Sequence, residues 1–429
     1  MATLKELFDE LRVSSGITSR EGVRSMEDPF ILKLFHLLVS YGVRAGASDL
    51  HIEPTVSYGR IRYRIDGLLH ELLQVPAEIR DPLLRAIKTK ANLATDVVGR
   101  SKPQDGRINF ETEGKSLDLR LSSFPTLHGD VLAIRILHRS APLLKLEQIG
   151  FPPDIMQQFN QIIHRPNGFV LVTGPAGSGK TTTLYATLEK LRSPHVKVVT
   201  LEDPVEYQLE GIDQAQLNPQ LGFTFATGLR AILRQDANII LVGEIRDKET
   251  VDIAIRAALT GHIVFSTLHT RHACGAVTRL VDMGVEPHLI AASLSGVLAM
   301  RLVRVICRHC RISDPQAQKT IERMMKDNGG AALTLTGLTL PPTPTFSRGK
   351  GCPECHTTGY RGRSGLFEFF LPKDELREAM LDRAAATQLY RMAVQGGMRT
   401  MLRDGIEKVA QGLTTVEEVL RVLGESEDA

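Results

Sequence analysis

Hydrophobic positions along this chain follow two different periods. From residue 28 to about 140, a helical run over 30–43 is followed by short segments in which apolar and polar residues alternate: Asp-Leu-His-Ile-Glu at 49–53, Gly-Arg-Ile-Arg-Tyr-Arg-Ile-Asp at 59–66 and Leu-Asp-Leu-Arg-Leu at 117–121. That pattern predicts a small α+β domain. From Ile149 onward, continuous apolar runs at 169–173, 196–202, 239–244 and 263–269 alternate with helical stretches. Such runs predict strands buried on both faces of a parallel sheet with crossover helices. Each run ends in a polar cluster, and in open parallel sheets ligands bind at the carboxyl ends of the strands.

The remaining segments complete a six-part division. Residues 1–27 read as a short extension without a motif, 28–140 as the α+β domain and 141–148 as a linker marked by Pro142. The parallel-sheet core is assigned to 149–306, a cysteine-bearing subdomain to 307–371 and a helical region to 372–429. Within the subdomain, 316–346 read as an insertion between two cysteine pairs.

Composition narrows the chemistry. With 429 residues, 42% hydrophobic, the chain is long enough for two or three domains. Its 52 Lys and Arg nearly balance 49 Asp and Glu, a formal charge of +3, so no strong basic field recommends nucleic acid as the main partner. No apolar run reaches the roughly 18 residues of a membrane-spanning helix, and the first twenty residues lack a signal-peptide core, so a cytoplasmic location is expected. Four of five cysteines form two C-x-x-C pairs, Cys307/Cys310 and Cys352/Cys355, the spacing of a four-thiolate structural zinc site. Cys274 reads as a small buried hydrophobe.

Gly174, Pro175, Ala176, Gly177, Ser178, Gly179, Lys180 and Thr181 satisfy G-x-x-x-x-G-K-[ST], with Thr182 following, between a predicted strand and a predicted helix. The glycines let backbone N–H groups turn toward a phosphate, Lys180 reaches the β and γ phosphates and the Thr181 hydroxyl ligates magnesium. Phosphoryl transfer also requires carboxylates near the metal and near the attacking water. Thr-Leu-Glu-Asp-Pro-Val-Glu at 200–206 ends one strand with three, and Leu-Val-Gly-Glu at 241–244 ends the next. Asp247 reads as a helix N-cap before 248–259. The fourth strand ends Ser-Thr-Leu-His-Thr at 266–270, with His262 at its start.

Taken in order, these four motifs resemble the Walker A, Asp box, Walker B and His box of the secretion ATPase superfamily. The resemblance extends to Ala-Ser-Asp-Leu-His-Ile-Glu-Pro at 47–54, Pro-Gln-Asp-Gly-Arg at 103–107 and Arg-Gly-Arg-Ser-Gly-Leu-Phe-Glu at 361–368. It implies an α/β fold: a RecA-like P-loop NTPase core preceded by a PAS-like α+β domain, with a tetracysteine zinc subdomain and a C-terminal helical region. It also implies ATP, magnesium and structural zinc as cofactors, with Glu206 activating water, Glu244 ordering the magnesium shell, and His262 and His269 forming the His-box pair. Arg62 and Arg64, with Arg107 and Arg120 behind them, are the arginines that would reach a neighbour's nucleotide.

The cysteine pairs are typical of the secretion and pilus-extension branch. The function implied is an ATP-driven motor for pseudopilin or pilin assembly: a homo-hexamer, peripheral at the inner membrane and working with a platform protein and a docking protein. Relatives often carry further N-terminal docking domains, so the chain is expected to be shortened or to dock differently, and no cyclic dinucleotide site is assigned. The rival is a hexameric DNA translocase, suggested by the arginine-rich run at 301–311. A non-catalytic nucleotide-binding scaffold is the other alternative, disfavoured by Lys180, Thr181, Glu206 and Glu244.

Overall fold

The computed structural model describes residues 3–15, 27–95, 102–138, 144–326, 337–338 and 340–424. The chain divides into two compact units, residues 1–141 and 142–429. Parts of five sequence assignments lie outside the described residues: 1–2 and 16–26 of the extension, 96–101 and 139–140 of the α+β domain, 141–143 of the linker, 327–336 with 339 of the insertion, and 425–429 of the helical region.

The first unit opens with α1 (Leu4–Ser14), started by a capping box in which Thr3 and Glu6 exchange hydrogen bonds. Leu4 and Phe8, one turn apart, are buried in the same core as α2 (Pro29–Ala45). Leu4 and Phe8 therefore tie α1 into this unit's core, although the sequence set 1–27 apart as an extension. Asp28 caps α2 by accepting from the Phe30 amide, Pro29 occupies its first position, and Gly46 ends it in the left-handed conformation.

Strands β1 (Ala47–Pro54), β2 (Tyr58–Ile65) and β3 (Leu68–Pro76) lead into α3 (Ala77–Lys90), and β4 (Gln104–Thr112), β5 (Lys115–Thr126) and β6 (Gly129–His138) follow. They form one antiparallel sheet in the order β3-β2-β1-β6-β5-β4. Leu117, Leu119 and Leu121 of β5 face the core, while Asp118, Arg120 and Ser122 face outward, which is the period-two pattern read from the sequence.

The second unit runs through α4 (Pro153–Ile163), β7 (Gly168–Thr173), α5 (Lys180–Leu191), β8 (Val198–Glu202), β9 (Asp213–Gln216), α6 (Phe225–Ile232), β10 (Ile239–Val242), α7 (Lys248–Leu259) and β11 (Ile263–Leu268). It continues with α8 (Gly275–Asp282), α9 (Pro287–Ser293) and β12 (Leu294–Ile306), then β13 (Arg311–Ser313), α10 (Pro315–Lys326), β14 (Ser347–Gly349) and β15 (Tyr360–Phe370). Four helices close the chain: α11 (Asp374–Leu381), α12 (Ala386–Gln395), α13 (Met401–Ala410) and α14 (Val416–Gly424).

The main sheet has the order β15-β12-β7-β11-β10-β8-β9 and is parallel except for β15. Its central strands divide their side chains between two cores. Phe169 and Leu171 of β7 join one and Val170 and Val172 the other, and Ile240 and Val242 of β10 are set against Ile239 and Leu241 in the same way. Burial on both faces explains why these strands read as unbroken apolar runs.

A second boundary also differs from expectation. β15, assigned by sequence to the cysteine subdomain, pairs along β12 from Val297 opposite Phe370 to Ile306 opposite Tyr360. Its Leu366 to Phe370 segment is fully buried, so it is an edge strand of the main sheet.

Candidate active site

Every strand end that sequence patterning marked as chemical meets at the carboxyl edge of β7, β8, β10 and β11. β11 lies between β7 and β10, which sets the phosphate loop about 10 Å from the Glu244 strand at the usual inter-strand spacing. That gap suits a phosphate and its metal.

The loop from β7 to α5 turns at Gly174, Gly177 and Gly179, all at positive φ. A Cβ on Gly174 would lie 2.5 Å from Ser178 Oγ and 2.6 Å from the Met300 carbonyl oxygen of β12. Lys180, the first residue of α5, donates from Nζ to the carbonyls of Gly174 at 2.7 Å and Pro175 at 2.9 Å. Burial lowers its pKa to about 8, against the opposing pull of Glu244. The Ser178 and Thr173 hydroxyls are buried with no hydrogen-bond partner. A half-buried ammonium, orphaned hydroxyls and a glycine-lined loop at a helix N-terminus form a donor set that fits a phosphate chain. Thr181, on the first turn of α5, lines the cleft with Glu206 and Glu244.

The carboxylates play distinct parts. Glu244 accepts a 2.8 Å hydrogen bond from Arg246 Nε and a second from Nη2, and His269 Nε2 lies 3.6 Å from its other oxygen. Arg246 also reaches Asp203 at 3.3 Å, so one guanidinium bridges the ends of β8 and β10. Glu202 is almost wholly buried and accepts hydrogen bonds from Tyr185, Thr200 and Gln214. Glu206 follows the cis Asp203-Pro204 bond and lines the cleft; its backbone N–H donates to the Tyr185 hydroxyl at 3.3 Å. Thr182 engages the Tyr207 hydroxyl, whose pKa burial raises to about 12 despite that contact.

His269 joins this group, whereas His262 does not. His262 stands before the first residue of β11, about 20 Å from the carboxyl edge at the usual strand rise, and its Nδ1 contacts the Ala257 carbonyl at 3.0 Å. Here His262 is a partner for the end of α7, so the structure does not bring the implied His-box pair together at the carboxyl edge. Asp247 caps α7 as its position suggested, accepting from the Thr250 amide at 2.8 Å.

The arginine candidates all lie on the outward face of the first unit's sheet. Arg64, Asp49, Arg135, Arg120 and Arg107 stand opposite one another in a row across β2, β1, β6, β5 and β4. Arg62, two residues from Arg64, faces the same way and hydrogen-bonds Glu53. Arg64 lies 3.7 Å and Arg135 3.1 Å from Asp49, leaving one carboxylate among four guanidinium groups of that row.

The four paired cysteines converge. Their sulfurs all lie within 4.8 Å of one another, with separations of 3.9 Å for Cys307 and Cys352, 3.8 Å for Cys310 and Cys355, and 3.7 Å for Cys352 and Cys355. A tetrahedron of thiolates at zinc–sulfur bonds of ~2.3 Å has edges of about 3.8 Å, so the cluster has the dimensions of a zinc site. Burial raises the Cys355 thiol, yet backbone donors from Cys352 and Gly359 overcome it and bring the pKa to about 7. Burial carries Cys310 up to about 12. Cys274 is buried outside the cluster, as expected.

Sequence reasoning missed Arg246 and Tyr185, although both fall inside or beside the motifs it used. Two arginines of the run at 301–311, read from sequence as the translocase's best evidence, also turn out to have partners within the fold. Arg301 is buried and donates to the Met300 and Arg271 carbonyls; Arg304 pairs with Glu418 at 2.7 Å and stacks over Tyr360. Two of the four arginines in the sequence feature that favoured a DNA translocase are thus engaged inside the fold, while Arg308 and Arg311 are exposed. Among the described residues, no helix is long and apolar enough to cross a membrane.

Comparisons with known proteins agree with this geometry. Residues 24–421 match a family model described as Type II/IV secretion system protein. The chain is 44% identical over 392 residues to the type II secretion system protein HxcR of Pseudomonas aeruginosa, covering 91% of this chain and 77% of that protein. It is 43% identical over 405 residues to the type II secretion system ATPase E of Vibrio cholerae, covering 94% and 77%. With the type IV pilus assembly ATPase PilB of Thermus thermophilus it shares 42% over 374 residues, covering 87% and 41%. Among solved structures, the Legionella pneumophila ATPase DotB superposes with a TM-score of 0.67 at 22% identity, covering 92% of this chain and 96% of that one. The pilus retraction motor PilT with bound ADP gives 0.59 at 24%, covering 90% and 95%. These two structural likenesses concern the fold.

Proposed function

The chain belongs to the Type II/IV secretion system protein family, and on that premise we propose the reaction and the residue roles that follow. It is an ATPase, a motor that turns ATP hydrolysis into assembly work in type II secretion or type IV pilus extension. The observation that carries the reading at residue level is the cleft in which Thr181, Glu206 and Glu244 meet beside Lys180.

Lys180 and the loop amides bind the β and γ phosphates. Thr181 directly, and Glu244 through water, would hold magnesium, which supplies charge neutralisation on the transferred phosphoryl group. Glu206 orients and deprotonates the attacking water, and His269 beside Glu244 reads the state of the γ-phosphate. Glu206→Gln should retain ATP binding while hydrolysis falls at least a hundredfold. Glu244→Gln should likewise bind and fail to turn over. Near-normal steady-state rates in both variants would remove the assignment.

The finer partners rest on family membership and on the first unit's charge pattern. The working form is a homo-hexamer at the cytoplasmic face of the inner membrane, engaged by a platform protein and a docking protein. Arg62 and Arg64, with Arg107 and Arg120, act on a neighbouring subunit's nucleotide, where an arginine supplied in trans is worth about 10³ to 10⁵ in rate. Support comes from the row of guanidinium groups on one sheet face. ATPase rate per chain, measured against protein concentration together with molecular mass, should climb as hexamers form. A rate independent of assembly would overturn the trans role. The four cysteines hold a structural zinc ion.

A further inference from the structure

Helix α5 carries more than the phosphate ligands. Tyr185 stands one turn after Thr181 on the same face and is completely buried. Its hydroxyl donates to Glu202, the last residue of β8, and accepts from the backbone N–H of Glu206 at 3.3 Å. Glu202 in turn takes Thr200 Oγ1 at 2.6 Å and Gln214 Nε2 at 3.2 Å on its other oxygen. A buried carboxylate with several donors is a fixed point, and the phenol hydrogen is committed to it. Its oxygen is left to accept from the Glu206 amide at 3.3 Å and, more distantly, from Gln214 Nε2 at 3.5 Å.

We propose that Tyr185 is a positioning residue for hydrolysis: anchored on Glu202, its hydroxyl fixes the backbone of Glu206 so that the carboxylate meets the attacking water in register with the phosphate loop. This rests on the reading of Glu206 given above. Three further contacts hold the same segment to the same supports. Tyr207 packs edge-on against the Tyr185 ring, centroids 4.7 Å apart, and its hydroxyl engages Thr182 of α5. Its carbonyl accepts from Gln214 at 3.3 Å. Glu206 sits on a loop, and a catalytic group tolerates only about 0.5 Å of misplacement. Pinning that loop to α5 makes one helix responsible for both the phosphate and the water that attacks it. Burial pushes the Tyr185 phenol far above its ordinary pKa, with Glu202 adding to the shift, so the hydroxyl keeps its proton throughout the working range.

The test is Tyr185→Phe in the full chain, which removes one oxygen and leaves the ring packing. kcat should fall about 10- to 100-fold, the usual effect of losing a supporting contact behind a reacting group. KM for ATP should stay within about threefold, because Lys180 and Thr181 are untouched. The decisive readout is a double-mutant cycle on residual turnover: in a Glu206→Gln background, Tyr185→Phe should cost less than about twofold. If kcat of the single variant matches wild type, or the full loss recurs in the Glu206→Gln background, the positioning role is wrong. Should Tyr185→Phe fail to fold, Glu202→Gln, which removes the anchoring charge, enters the same cycle and is read in the same way. A wild-type chain that hydrolyses no ATP would instead defeat the functional reading itself, and the two failures are distinct.

Discussion

Two glycines of the phosphate loop offer a graded test of the site's geometry. Gly177 has φ +74°, and a Cβ there meets nothing within 4 Å. Replacing it by alanine costs only the left-handed conformation, about 1 kcal/mol, or roughly a fivefold loss of ATP affinity if the cost falls on the binding-competent loop. Gly174 is different. Its Cβ would lie 2.6 Å from the Met300 carbonyl oxygen, an atom fixed in β12 of the central sheet, and 2.5 Å from Ser178 Oγ. The hydroxyl can rotate away, but the carbonyl cannot move without shifting a core strand. Overpacking of this kind costs about 1–3 kcal/mol; at the upper end that is about 150-fold in affinity. Equilibrium titration with a fluorescent ATP analogue in magnesium should therefore rank wild type, Gly177→Ala and Gly174→Ala in falling affinity, with thermal melts of the nucleotide-free proteins separating loop from global effects. Binding by Gly174→Ala within fivefold of wild type, or a worse defect in Gly177→Ala, would refute the steric reasoning.

Lys180, held near pKa 8 by burial, should regain its proton when phosphate arrives, so ATP affinity should fall as pH rises through about 8. Calorimetry at pH 8 in buffers of different ionisation enthalpy should report uptake of roughly half a proton per ATP, and proton release would contradict the assignment. Metal analysis should find one zinc per chain; chelation, or Cys310→Ser, should lower the melting temperature, more readily in acid where thiolates take up protons. Metal-free protein with an unchanged melt would rule out the structural ion. Lys408 pairs with the buried Asp404 at 2.7 Å, and Asp404 accepts the Phe367 amide of β15. Lys408→Met should cost about 3–5 kcal/mol in denaturant unfolding, because it strips the buried carboxylate of its ion-pair partner.

What the sequence made legible was what local pattern controls. The central strands announce themselves because burial on both faces makes them mostly apolar, with their polar residues mainly toward their carboxyl ends, and the phosphate loop because its glycines and Lys180 are contiguous. Long-range facts were not readable. Nothing near Tyr360 says that its strand pairs with β12, and Arg301 and Arg304 look solvent-facing until Arg271, Glu418 and Tyr360 are brought beside them. Three carboxylates stand within 202–206, but only the fold reveals that Glu202 is sealed in while Glu206 borders the cleft. His262 misled because a motif records order along the chain, not which end of a strand faces the ligand. Leu4 and Phe8 were the opposite case: their one-turn spacing was visible and went unused.

The pairing of β12 with β15 has a consequence for how this chain tolerates change. Residues 307–359 separate the two strands, where an ordinary antiparallel pair is joined by about two to five. Cys307 directly follows the last residue of β12, and Cys355 stands shortly before β15 begins. A metal gripping both ends would act as the turn, sparing the sheet the closure cost of a long loop. The described part of the intervening stretch is not a loose flap: Ala317 and Ile321 of α10 and Phe346 are buried in the core that the sheet shares, so those positions tolerate change poorly while the ATPase sheet keeps its final strand.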